Sequence, residues 1–144
     1  MRTSPLQLNQ TIIGEVVLQP RTSDAFAGAV TVTTVPAFER SDSDPWQWRV
    51  KVRVAFKGAD EKPAQYEGHI DVAGIFTVSA DFPDDQLLKL VAVTCPSLLY
   101  STAREAIAGL TARGPHGVFL LPSVSFADQI LKPPPEPAVT AKSE

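Results

Sequence analysis

Residues Trp46–Lys57 alternate without a break. Trp46, Trp48, Val50, Val52, Val54 and Phe56 take one side; Gln47, Arg49, Lys51, Arg53 and Lys57 take the other. A period of two marks a half-buried strand and leaves no room for a helix. Upstream, Leu6–Leu18 is rich in β-branched residues (Ile12, Ile13, Val16, Val17) and is predicted to stop at Pro20. Ala25–Val35 alternates Val and Thr and is predicted to stop at Pro36, since proline cannot donate to a ladder. Glu39–Pro45 reads as a polar loop and Gly58–Pro63 as a turn. Gln65–Val72 alternates again, with Tyr66, Ile70 and Val72 inward and Glu67, His69 and Asp71 outward.

The two clearest strands predict an antiparallel hairpin. A register placing Arg53 opposite Glu67, Lys51 opposite His69 and Arg49 opposite Asp71 pairs opposite charges across it. The same register puts Val54 beside Tyr66 and Val50 beside Ile70. On this reading the basic stripe is a solvated, internally paired face rather than a site for an acidic partner. Trp46 and Trp48 belong to the inward stripe rather than to an exposed binding patch.

Beyond the hairpin the period changes. Gly74-Ile75-Phe76 is expected to leave the sheet. Asp81–Asp85 signals a helix start, with acidic residues at the positive end of the helix dipole. Gln86–Val93 is predicted helical, interrupted at Pro96 and resuming over Leu98–Ala112. Leu99, Ala103, Ala106, Ile107 and Leu110 share its face, and Gly114 is a candidate C′ cap. An apolar, strand-like run follows to Leu121-Pro122. Ser123 or Ser125 is expected to cap a short helix through about Leu131. Strands followed by helices predict an α+β domain over residues 1–132, with a Pro- and Ala-rich tail over 133–144.

Composition narrows the function. The 144 residues suit one domain, with 44% hydrophobic and 20% charged residues and a net charge of -3. No Lys/Arg-rich run suggests nucleic acid or an anionic membrane as partner. The single cysteine, Cys95, rules out an intrachain disulfide, and a reducing cytoplasm is the expected compartment. The start, MRTSPLQLNQ, has no apolar core of a signal peptide, and no apolar run reaches membrane-spanning length. His69 and His116 have no cysteine or carboxylate at ligand spacing, so no metal or cofactor is expected. Cys95 lacks a neighbouring base, Arg104-Glu105 is no acid–base pair, and no phosphate loop or nucleophile elbow occurs; no catalytic residue and no enzyme activity are expected.

One ordered set of motifs remains: Gly74-Ile75-Phe76, Cys95-Pro96, Leu99-Tyr100, Ala103-Arg104-Glu105, Arg113-Gly114, and Leu120-Leu121-Pro122 followed by Phe126. This order resembles the SecB family of protein-export chaperones, most closely from Gly74 to about Ile130. The resemblance implies a four-stranded antiparallel sheet followed by a long kinked helix and a short C-terminal helix on one side. It implies a homotetramer, a dimer of dimers, that holds unfolded polypeptides in apolar grooves without nucleotide. It also implies delivery of those clients to the translocation ATPase SecA. Under it the client-binding candidates are Phe76, Leu99, Tyr100, Phe126 and Ile130, with core or subunit interface as their plainer role. Glu15 keeps the family's acidic translocase-contact position on the first strand. Gln19, Glu67 and His69 depart from the family pattern, and the tail has no Cys or His. These departures leave room for a dedicated SecB-like chaperone or binding subunit for one partner, such as an antitoxin.

Overall fold

The computed structural model describes residues 2–128. Strands β1 (Leu6–Pro20), β2 (Val30–Arg40), β3 (Gln47–Gly58) and β4 (Tyr66–Val78) form one antiparallel sheet in the order β1-β4-β3-β2. One helix, α1 (Asp84–Thr111), follows. The strands with the cleanest alternation therefore fill the centre, and β1 and β2 are its edges. Trp48, Val50, Val52, Val54 and Phe56 of β3 pack with Tyr66, Ile70, Val72, Phe76 and Val78 of β4, all buried. Leu87, Val91, Cys95, Leu99, Ala103 and Ile107 of α1 close this core. Each large apolar side chain so buried contributes about 1.5–3 kcal/mol. Trp46 lies just ahead of β3 and is only half-buried.

The hairpin of β3 and β4 forms with the predicted inward and outward sets but in a different register. Arg53 pairs with Asp71 rather than Glu67, Lys51 with Ala73 rather than His69, and Arg49 with Ile75 rather than Asp71. Val54 pairs with Ile70 and Val50 with Gly74. The slip is even, so no side chain changes face. Turn chemistry decides it. Asp60 and Glu61 take left-handed backbone (φ 56° and 61°), and Lys62 N–H bonds back to Ala59 O at 3.2 Å. Pro63 has no N–H to offer a ladder. The Glu67 carboxylate accepts the amides of Gly58 (2.9 Å) and Ala64 (3.1 Å), which delays pairing until the loop has closed. Gly58 is required here: a Cβ would lie 1.9 Å from Lys62 O.

Other expectations change at the proline and glycine positions. Pro36 does not end β2, because β2 is an edge strand and its missing donor need not cost a ladder bond. Gly74-Ile75-Phe76 stays within β4, pairing with both β1 and β3. Pro96 does not interrupt α1; the buried stripe runs past it on both sides, and Ser97 Oγ donates to Val93 O at 2.7 Å just beyond it. Packing thus outweighs the roughly 3 kcal/mol that an interior proline costs. The acidic start is as predicted, with Asp84 and Asp85 in the first turn. At the other end Ala112 is the C-cap, and Gly114 serves a different purpose than capping. A Cβ on Gly114 would sit 2.3 Å from Tyr66 Oη, so the glycine admits the tyrosine. The helix expected from Ser123 or Ser125 does not begin within the described residues, where 121–126 lack regular structure and 127–128 form a turn. Its remaining length, Ile130 and the tail lie outside the described residues. No helix among the described residues is long and apolar enough to cross a membrane.

Candidate functional site: a groove along the helix

After α1 the chain turns at Gly114 and returns along the helix as residues 117–126 without joining the sheet. Its side chains divide by position. Phe119, Leu121 and Phe126 are buried, while Val118 and Leu120 are 58% and 66% exposed. In place of a ladder, side chains of the fold hold its backbone. Thr111 Oγ1 accepts the Phe119 amide at 2.8 Å, and Arg104 Nε donates to Leu121 O at 2.8 Å. Tyr100 donates its hydroxyl to Pro122 O. Tyr66 Oη accepts the His116 amide at 2.9 Å and donates to Gly117 O at 3.2 Å. The helix surface and the end of the sheet thus grip an extended chain by its main chain and by alternate apolar side chains.

One end of the groove is aromatic. The Tyr66 ring meets His116 at 5.4 Å and Phe119 at 5.5 Å, and Phe26 meets His116 edge-on at 5.2 Å. Phe56 lies 5.9 Å from Phe119. His116 Nε2 donates to Arg21 O at 2.7 Å; the carbonyl can only accept, so this nitrogen carries the proton. That bond ties the β1–β2 connection to the return segment. Sequence reasoning passed over Phe26, Tyr66, Thr111, His116 and Phe119 as site residues. The available signal was the unbroken apolar run Val118–Leu121 just after the helix, which the structure resolves into alternately buried and exposed side chains. Nothing in the sequence marks Thr111, a fully buried threonine.

Of the expected client contacts, Phe76 and Leu99 are fully buried between sheet and helix. Tyr100 and Phe126 are 4% and 3% exposed and touch ring to ring at 6.1 Å, where the return segment meets the helix. Burial pushes the Tyr100 hydroxyl above its ordinary pKa, so it stays a donor. Ile130 lies outside the described residues. Cys95 is buried on the inner face of the same helix, and burial pushes its thiol up to about 12. Among the described residues no group of three or more His, Cys, Asp or Glu could hold a metal ion.

Glu15 lies on the opposite face of the sheet. His69 Nε2 donates to its carboxylate at 2.6 Å, and Arg53 approaches it at 3.5 Å. Arg53 also grips Asp71 with two bonds of 2.8 and 2.9 Å, which hold that carboxyl below its usual range. Glu67 is committed to the Gly58 and Ala64 amides and to Arg21 at 3.3 Å. Further apolar surface lies on edge strand β1, where Leu8, Ile12, Ile13 and Val16 are exposed, and at Leu98 and Leu110 of α1.

The architecture defines a class: a sheet-and-helix subunit whose groove lays an extended apolar chain along the helix and which leaves an apolar edge strand open. The chain belongs to the SecB family; the family model for preprotein translocase subunit SecB matches residues 25–131. It is 35% identical over 88 residues to the protein-export protein SecB of Psychrobacter arcticus, a match covering 61% of this chain and 57% of that one. It is 36% identical over 66 residues to the SecB of Methylococcus capsulatus, covering 46% and 42%. The chain thus matches about half the length of these relatives. Its fold is that of a SecB-like chaperone of Mycobacterium tuberculosis solved with an antitoxin peptide, with a TM-score of 0.62 over 83% of this chain and 88% of that one, at 14% identity.

Proposed function

We propose that this protein is an ATP-independent holding chaperone that binds unfolded polypeptides in apolar grooves, serving protein export from the cytoplasm. The observation carrying this reading is the return segment, an extended chain already gripped by its backbone and by Phe119, Leu121 and Phe126. Main-chain bonds are indifferent to sequence, and pegs into an apolar groove ask only for hydrophobic residues at alternate positions. A client segment of that kind would bind as this segment lifts. Tyr100 and Phe126 are then the first contacts exposed, with Leu99 and Phe76 supporting them from below; Ile130 completes the set. The apolar edge strand β1 supports self-association into a homotetramer, which multiplies grooves and raises effective concentration. Hand-over to SecA is the family's route for release, with Glu15 as the contact. Titration calorimetry with a permanently unfolded, carboxymethylated protein tests the reading. Nucleotide-free binding with a negative heat-capacity change supports it, and no heat with oligomeric, folded protein contradicts it.

A second reading, a chaperone dedicated to one partner such as an antitoxin, has its own support. Glu15 is engaged by His69 and Arg53, and Glu67 is consumed by the turn, so this face offers SecA little free negative charge. The Mycobacterium tuberculosis protein of similar fold was solved with an antitoxin peptide.

A further inference from the structure

The register of β3 and β4 leaves two cations without the partners that the sequence offered them. Arg49 stands between Ile75 on β4 and Glu39 on β2; Lys51 stands between Ala73 and Ala37. Both are exposed, and among the described residues neither forms an ion pair. The other carboxylates of this face are occupied: Asp71 by Arg53, Glu67 by two backbone amides and Arg21, Glu15 by His69 and Arg53. Glu39 is the remaining one, beside Arg49 but outside ion-pair reach. Ala37, Phe38, Glu39, Arg49 and Lys51 line a shallow depression here. Val35, 59% exposed and opposite Arg53, adds an apolar step one position along. This positive stripe stands on a chain of net charge -3.

We propose that the outer face of the sheet, at Arg49 and Lys51 with Val35 beside them, docks an extended acidic segment of a partner protein. Residues two apart on a strand lie about 7 Å apart, the repeat at which side chains recur along one side of an extended peptide. Carboxylates at alternate positions therefore meet both cations together, and the alanines flanking Lys51 leave the approach open. An apolar residue in the same segment reaches Val35. This surface lies on the face of the sheet away from the helix groove, so a partner docks here while a client is held there. Exposed pairs are individually weak and screened by salt, so the contact is reversible and sensitive to ionic strength.

The test uses fluorescence anisotropy of a labelled peptide repeating Glu-Ser-Glu-Ser-Val, which puts two carboxylates and an apolar residue on one side of an extended chain, with the full chain at about 50 mM and about 300 mM salt. Binding is expected at low salt and weakens at high salt. The double variant Arg49→Gln, Lys51→Gln loses about tenfold in affinity, while Lys89→Gln, on the helix, loses none. Ala37→Glu, which adds a carboxylate beside Lys51 and removes no cation, weakens binding as well. Unchanged far-UV circular dichroism shows that these surface variants fold. Absence of binding at low salt overturns the proposal, as does equal loss in the Lys89 variant. Equally tight binding of duplex DNA or of phosphatidylserine vesicles overturns it too, by marking the stripe as a general polyanion surface. Calorimetry with the unfolded client is independent of these variants, so the docking surface fails separately from the chaperone reading.

Discussion

Thr111→Val removes the hydroxyl of a fully buried residue in the last turn of α1 and keeps the shape of the side chain. Thr111 Oγ1 donates to Ile107 O at 2.7 Å and accepts the Phe119 amide at 2.8 Å. Losing the donation costs little, because a helical carbonyl keeps its i+4 amide partner. Losing the acceptor strands the Phe119 amide in the interior, at about 1–3 kcal/mol. The added methyl returns about 0.8 kcal/mol. The net cost is about 1 kcal/mol, and it falls on the return segment, whose open population rises about fivefold. Hydrogen exchange reads this at one residue: protection of the Phe119 amide falls by that factor in Thr111→Val. Thr111→Ser, which keeps the hydroxyl and loses the methyl, leaves Phe119 protected although its global stability also falls. Under the proposed function a client displaces the segment, and unfolded-chain affinity is then expected to rise by a similar factor in Thr111→Val. Unchanged Phe119 protection in the valine variant, or equal loss in the serine variant, refutes the claim that this hydroxyl latches the groove.

Further outcomes follow from the same geometry. Glu67 is held below the usual carboxylate range, first by the Gly58 amide and then by the Ala64 amide and Arg21, against an opposing effect of burial. A lowered folded pKa contributes stability above the unfolded value of about 4.3 that is lost as pH falls through the folded value. In denaturant titrations, Glu67→Gln is therefore less stable than the parent at neutral pH, and the gap narrows in acid; a gap independent of pH contradicts this. The Cys95 thiol, pushed up to about 12 by burial, reacts with a thiol reagent at pH 8 only as fast as the protein opens, so rapid labelling of the folded protein would contradict its placement. Gly114→Ala drives a Cβ into Tyr66, costing about 1–3 kcal/mol and releasing the tyrosine's bonds to His116 and Gly117; a denaturation midpoint equal to the parent's refutes the close approach.

The central strands were legible because their alternation is unbroken, and the helix was legible as two stretches; its continuity through Pro96 was not, because the buried stripe on both sides of the proline outweighs the break. What the sequence hid has physical reasons. The hairpin register depends on where Glu67 spends its carboxylate, a bond to backbone amides that no side-chain pairing pattern encodes. The continuation of β2 through Pro36 depends on its edge position, which is a property of topology. The groove was half visible. Tyr100 and Phe126 emerged through the family motifs, whereas Tyr66 and His116 act through backbone contacts with segments distant in sequence, and Thr111 through one amide of the chain that follows its helix. For the basic stripe, alternation on both strands suggests opposite charges across the hairpin. Once the register is known, only Arg53 keeps such a partner from β4.

Aggregation suppression is the most direct test of the holding function. An unrelated protein is diluted from denaturant, without nucleotide, with this protein at ratios spanning one client per four chains, the stoichiometry of the proposed tetramer. Light scattering is expected to fall to baseline near that ratio, and at a lower concentration of the Thr111→Val variant, whose groove opens more readily. Undiminished scattering in the presence of folded, oligomeric protein contradicts promiscuous holding and leaves the single dedicated partner as the reading to pursue.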